Sequence, residues 1–233
     1  MPREDELLGW DSSCLTAAQR HQIDVVLALL EADDHAPTAI RDVERATRMH
    51  IADSLAALEL EPIGAAERIA DLGSGAGFPG IPLAIAVPTA EVSLVESQRR
   101  RCEFLERICS AADIKNARAI WSRAEDWREG MAANDVVVAR ALAAQPVVLE
   151  YAAPLLRLGG ALVDWRGRRA PAEETVAERA AAMLGMRWTQ VRAVAAFEGA
   201  NEHHVHVFLK VDETPARFPR RAGLARKRPL GGR

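Results

Sequence analysis

Arg68-Ile-Ala-Asp-Leu-Gly-Ser-Gly-Ala-Gly-Phe-Pro-Gly-Ile-Pro-Leu-Ala-Ile-Ala86 reads as an apolar strand, a glycine turn and the start of a helix in direct succession. Glycines at 73, 75 and 77 permit positive φ and let the backbone approach a ligand where a Cβ would intrude. A dinucleotide-binding turn carries its third glycine one position later. That position is Phe78, which disfavours a pyrophosphate. Nineteen residues beyond Gly77, Glu96 closes the apolar run that starts at Val92, where a carboxylate can accept from two ribose hydroxyls. With Asp71 near the end of the first strand, the pattern describes an adenosine site; the bland alternative is a doubly wound fold whose glycines serve only the turn.

Strands are predicted at 68–72, 91–96, 117–122, 134–140, 160–165 and 203–211, with another near 188–197. Helices are predicted between them at 79–87, 99–111, 145–157 and 171–184. This rhythm implies an α/β fold, a mostly parallel doubly wound sheet whose last strand, lacking a crossover helix, runs antiparallel. Ligands in such sheets sit at the carboxyl ends of the strands. Asp71, Glu96, Glu125 and Arg140 each fall at or just after one. Upstream, Ile23, Val26, Leu27 and Leu30 mark one face of a helix over 15–32 capped by Thr16, and further helices are predicted at 41–49 and 53–60. The expected organisation is an N-terminal helical layer (1–60), a ligand-binding domain (61–212) and a basic C-terminal arm (213–233). Pro215, Pro219, Gly223, Pro229 and Gly231-Gly232 predict that the arm is extended and orders poorly or only on a partner.

A chain of 233 residues supports one core and an appendage. The early acids Glu4, Asp5 and Glu6 and the lack of an eighteen-residue apolar run argue against a signal peptide or membrane span. Three cysteines (Cys14, Cys102, Cys109) lack metal spacing and leave one unpaired in any disulfide scheme, so a reducing, cytoplasmic setting is expected. The last twenty residues hold seven cations and no acid; removing them from the net −3 leaves −10 on residues 1–213. Such segregation points to local contact with a polyanion.

Asp71, the glycines and Glu96 resemble the pattern of S-adenosylmethionine-dependent methyltransferases of the Rossmann-like class I. Methyl transfer from a sulfonium is an in-line displacement, so positioning dominates. In that reading the amides of 73–78 (Gly73, Gly75, Gly77) hold the amino-acid end of the cofactor, Phe78 covers it and Glu96 binds the ribose. Ala124 and Glu125 meet the adenine edge, Glu125 being otherwise a solvated loop acid. Arg140 contacts the cofactor carboxylate or the acceptor, or else forms an ion pair with Glu125 or Asp126. Cys102 and Cys109 stand at i and i+7 on one helix, a core spacing, so carbon methylation of a pyrimidine is disfavoured. No Asn/Asp-Pro-Pro-aromatic clamp for adenine amino groups follows the fourth strand, which continues Ala-Arg-Ala-Leu142. Guanine N7 presents an in-plane lone pair and needs no general base. The expected catalytic set is accordingly empty apart from positioning by Arg140, although a small-molecule enzyme would share that emptiness.

Arg99, Arg100 and Arg101, then Arg166, Arg168 and Arg169, and in the arm Arg220, Arg221, Arg226, Lys227 and Arg228 are candidate RNA-phosphate contacts; for the first two groups the alternative is a solvated helix start and loop. His203, His204 and His206 lie in an apolar strand without a fitting third ligand, so no metal is expected. His50, Asp53 and Ser54 either close over the cofactor or, at Asp53 or Ser54, form an ordinary helix cap.

The assembled pieces resemble the bacterial small-subunit ribosomal RNA guanine-N7 methyltransferases, also called the glucose-inhibited division protein B family. The resemblance is carried by Thr38-Ala-Ile-Arg-Asp42, His50-Ile-Ala-Asp-Ser-Leu55, the glycine segment through Gly80, Ser122-Arg-Ala-Glu125, Ala139-Arg-Ala141 and the tail Pro219 to Leu230. It implies S-adenosyl-L-methionine as cofactor, with Gly73, Phe78, Ala124, Glu125 and Arg140 as contacts, and 16S ribosomal RNA of the small subunit as partner. The alternatives are a methyltransferase acting on a small metabolite and a non-catalytic RNA-assembly factor. The chain departs from the family pattern at Ala36-Pro-Thr38, where Asn-Leu-Thr is usual, and at Arg166-Gly167, where Lys-Gly is usual.

Overall fold

The computed structural model describes residues 15–40, 42–194 and 203–232; Glu4, Asp5, Glu6, Cys14, Arg41, Arg233 and the predicted strand end at 195–197 lie outside them. The strands are β1 (Arg68–Leu72), β2 (Glu91–Glu96), β3 (Ala117–Trp121), β4 (Asn134–Arg140), β5 (Leu156–Arg166), β6 (Met186–Ala193) and β7 (His204–Lys210). They form one sheet in the order β3-β2-β1-β4-β5-β7-β6. β1 to β5 pair in parallel, and β7 inserts antiparallel between β5 and β6. The chain crosses over between β1's two neighbours, β2 and β4, which makes their carboxyl ends the switch point where this architecture opens a crevice.

Two-residue alternation divides the strands between two cores. Val136, Val138, Ala161, Val163 and Trp165 face the side covered by α1 (Ala17–Ala32), α5 (Gly80–Ala86) and α6 (Arg99–Ala111). Val137, Ala139, Leu162 and Phe208 face α7 (Gln145–Ala152) and α8 (Pro171–Met183). The helix predicted over 145–157 stops at Ala152, because Pro154 has no N–H to continue it, and β5 already begins at Leu156.

The N-terminal layer shares its core with the sheet: Leu27, Leu30, Ile51, Leu55 and Ile63 join Ile69, Leu83 and Leu94 in one cluster. Thr16 caps α1 through a capping box with Gln19. The break predicted between two helices near residue 50 is absent. Asp42 caps α2 (Val43–Ala46), a π-helical turn covers Thr47–Ala52, α3 (Asp53–Leu55) follows, and a 3-10 turn (Ala56–Glu59) leads to α4 (Glu61–Gly64). Neither Asp53 nor Ser54 is an N-cap. Asp53 is helical at φ −60°, ψ −41°, and the Ser54 hydroxyl donates back to the His50 carbonyl at 2.5 Å.

The arm also departs from expectation. Residues 214–232 fold back on the body, with Phe218 and Ala225 buried and a short α9 (Leu224–Lys227) against α7. The cause is Glu150, a carboxylate 1% exposed on α7. The Arg220 guanidinium neutralises it through Nε at 2.7 Å and through Nη2. A buried carboxylate without such a partner is strongly unfavourable. Proline and glycine limit regular structure here to one short helix without preventing order.

Candidate active site

The amides of Gly73 and Ser74 donate to the Val95 carbonyl at 2.8 and 3.2 Å, which ties the glycine turn to the end of β2. Gly73, Gly75 and Gly77 have φ of +69°, +57° and +96°, a region that costs a side chain dearly. A Cβ on Gly75 would meet only the Gly73 carbonyl oxygen, at 3.7 Å, so space stands open above it. Glu96 is buried and held by backbone: Gly75 N–H donates to Oε2 at 3.2 Å and Gln98 N–H to Oε1 at 2.8 Å.

Asp71 is also buried; its Oδ2 accepts the Gly80 amide at 3.1 Å, while Oδ1 has no hydrogen-bond partner among the described residues. Burial lifts its pKa to about 6. Ala124 and Glu125 lie on a 3-10 turn after β3, across a narrow cleft from Gly73 and Val95 that Ser97, Leu142, Tyr151 and Arg226 also line. The structure therefore brings Asp71, the glycines, Glu96, Ala124 and Glu125 to one edge of the sheet.

Beside this crevice, over the ends of β4 and β5, is a cavity of about 620 Å³ whose walls include His50, Asp53, Arg140, Trp165, Arg166 and His203. Arg140 and Trp165 are register partners on neighbouring strands and point to the same face. The ion pair of Arg140 is with Asp53, at 3.0 Å, rather than with Glu125 or Asp126. Asp53 Oδ1 meets His203 Nδ1 at 3.1 Å, and the Trp165 indole N–H donates to the Asp53 carbonyl at 3.0 Å. Arg140 further donates to the Met49 carbonyl at 3.3 Å and to His50 Nδ1 at 3.1 Å. Since a guanidinium only donates, His50 Nδ1 is the acceptor and its Nε2–H donates to the Thr38 hydroxyl at 2.9 Å. Burial, then the Arg140 charge, pushes His50 down to about 4, so the ring is neutral at pH 7. It stacks on Phe78 at 4.5 Å, with the Arg140 guanidinium 5.5 Å from the same ring.

The basic residues differ in exposure and in their contacts within the protein. Arg100, Arg168, Arg221, Lys227 and Arg228 are exposed. Arg99 pairs with Glu103 at 3.0 Å and lies over the exposed Trp121 ring; Arg101 is 3.7 Å from Glu96. Arg166 donates to the Ala143 carbonyl at 2.7 Å, and Arg169 grips Glu174 at 2.8 and 2.9 Å. Arg220, expected on RNA, is committed to Glu150, and Arg226 donates to the Leu142 carbonyl at 2.9 Å.

Burial raises both Cys102 and Cys109 to about 11, so neither is a thiolate near neutral pH. Of the three histidines, His203 precedes β7 and joins Asp53, His204 lies 3.3 Å from the Gly167 carbonyl, and His206 is buried against Trp188. Among the described residues no group of His, Cys, Asp and Glu could hold a metal ion, and no helix is long and apolar enough to cross a membrane.

Comparison with known proteins identifies the family. Residues 25–205 match the family model described as rRNA small subunit methyltransferase G. The chain belongs to this family. It is 39% identical over 198 residues to Ribosomal RNA small subunit methyltransferase G of Rubrobacter xylanophilus, covering 82% of this chain and 76% of the relative. A Synechococcus protein of the same name is 34% identical over 236 residues, covering 96% and 89%. Among solved structures, the S-adenosylmethionine-dependent methyltransferase SibL superposes with a TM-score of 0.58 at 12% identity over 84% of this chain and 70% of that one, a likeness of fold.

Within the family frame, Gly80, Tyr151, Trp165 and His203 stand at the site although sequence reasoning passed over them or read them otherwise. Gly80 was accessible, since it closes the quoted Phe-Pro-Gly. His203 was not: it reaches Asp53 across 150 residues of chain, a pairing no local pattern encodes.

Proposed function

We propose that this protein transfers the methyl group of S-adenosylmethionine to N7 of a guanine in 16S ribosomal RNA of the small subunit. The observation that carries the reading is the convergence at the strand ends of buried Asp71, the glycine turn, Glu96, Ala124 and Glu125, beside the cavity that holds Arg140. Both His50 nitrogens are engaged, by Arg140 and Thr38, and both Asp53 oxygens by Arg140 and His203. Guanine N7 already exposes an in-plane lone pair, so its methylation asks no proton removal of either group. The names of the relatives support the same substrate class.

S-adenosylmethionine supplies an electrophilic methyl group on a sulfonium. The chain's own residues bind and orient. Asp71, whose Oδ1 has no partner among the described residues, would accept from the ammonium of the cofactor, and Glu96, oriented by two amides, would accept from the ribose. Ala124 and Glu125 meet the adenine edge, and Phe78, backed by the His50 ring, excludes water from the amino-acid end. Arg140 uses three of its five donors within the protein and offers the rest to the cofactor carboxylate or the acceptor base. A-form RNA hides N7 in a deep groove, so the target guanine is unpaired or turned out of its stack. Arg166, Arg168 and the exposed arm cations then meet its flanking phosphates.

The test is to incubate the protein and labelled cofactor with small subunits or ribosomal RNA from cells lacking the gene, then apply borohydride reduction and aniline cleavage. One new scission in 16S RNA is expected. Label confined to small metabolites, or no transfer despite cofactor binding, would replace this reading with a metabolite methyltransferase or an assembly factor.

A further inference from the structure

The adenine end of the crevice is bounded by two loops, one after β3 carrying Ala124 and Glu125 and one after β4 carrying Leu142. The C-terminal arm is bonded to both. Gly223, at φ +80°, turns its N–H onto Glu125 Oε1 at 3.0 Å, and three residues later Arg226 Nη2 donates to the Leu142 carbonyl at 2.9 Å. Leu142 in turn lies directly over the glycine turn, since a Cβ on Gly73 would meet its Cδ1 at 2.5 Å. Arg226 itself lines the cleft with Tyr151, whose hydroxyl is raised by burial and then by the Glu125 charge. This stapling segment is anchored at its base by the Arg220 to Glu150 pair, and the same Arg220 Nη2 donates to the Arg228 carbonyl at 2.8 Å, closing 220–228 into a compact loop.

We propose that residues 220–228 form the outer wall of the adenine subsite, with Arg226 a positioning residue for the cofactor as well as a cation of an RNA-binding arm. The inference rests on the cofactor reading above and goes beyond it, because sequence reasoning gives the arm to RNA alone. Arg226 holds Leu142 over the glycine turn, and Gly223 orients the Glu125 carboxylate that faces the adenine N6 donor. A segment that serves both ligands couples their affinities reciprocally.

Calorimetry on the full-length chain without RNA tests it. The probes are S-adenosylhomocysteine and S-inosylhomocysteine, in which an oxygen replaces the N6 donor. Wild type should bind the first and discriminate against the second. Arg226→Ala, an exposed change that should melt with wild type, is expected to weaken S-adenosylhomocysteine about five- to tenfold and to narrow that discrimination, because Leu142 is released and the loop whose Gly223 orients Glu125 loses its tie to the β4 end. Arg226→Lys, which can still donate to the Leu142 carbonyl, should recover part of both. Binding within twofold of wild type in Arg226→Ala, with discrimination unchanged, would overturn the wall and leave the cofactor reading standing. No heat for S-adenosylhomocysteine with wild type would overturn both.

Discussion

Asp71 shows how one side chain can be unfavourable for folding and suited to binding. Its carboxyl is buried with one oxygen unpartnered among the described residues, and burial lifts its pKa from 3.8 to about 6. The folded state therefore holds its proton more tightly than the unfolded chain, and stability contributed at acid pH is lost as pH rises from about 4 through 6. Asp164, raised by burial to about 7, acts in the same direction. Asp71→Asn retains an acceptor for the Gly80 amide and removes the ionisation. In urea denaturation at pH 7.5 the variant should be more stable than wild type by about 1–2 kcal/mol, with the gap closing toward pH 4. Its S-adenosylhomocysteine affinity should fall. A variant less stable at pH 7.5 would mean that the native carboxylate already has a compensating partner.

At the scale of elements, the decisive junction is the passage from β1 into α5. The Gly80 amide donates to Asp71 at the first position of α5, and a Cβ there would meet Leu94 Cδ2 at 2.4 Å and Asp71 Oδ2 at 2.6 Å. Two of the three clashes involve the Asp71 side chain. Gly80→Ala should cost about 1–3 kcal/mol by the overpacking rule, read as a lower urea midpoint at constant slope. An unchanged midpoint would show that α5 slides freely against β2. The π-helical turn at Thr47–Ala52 is a second such junction, since it brings His50 onto Phe78 and leads into Asp53 beneath Arg140. Wide turns of this kind concentrate at functional sites. The quoted glycine stretch made the first junction legible. The second was misread as two helices, because apolar periodicity does not register one extra residue per turn.

Across the whole molecule, an acidic body carries a basic arm that is folded rather than trailing. Two of the arm's cations, Arg220 and Arg226, donate to protein acceptors, while Arg221, Lys227 and Arg228 are exposed. The triple change Arg221→Ala, Lys227→Ala, Arg228→Ala should weaken binding to 16S RNA and reduce the slope of log affinity against log salt by about 2. An unchanged slope in a salt titration would place the phosphate contacts elsewhere, the exposed Arg100 and Arg168 being the next candidates.

By itself, the sequence determined the βα alternation, the glycine turn, the acids at the strand ends and hence the class of ligand. Each is a local pattern in which spacing dictates backbone conformation or the face a side chain takes. Only the tertiary structure decided the partners of the charged groups: Arg140 with Asp53 and His203 beside it, Glu150 with Arg220, Glu125 with Gly223. The reason is desolvation. A charge removed from water must be matched wherever the fold places a counterpart, and those counterparts lie 87, 150, 70 and 98 residues away along the chain.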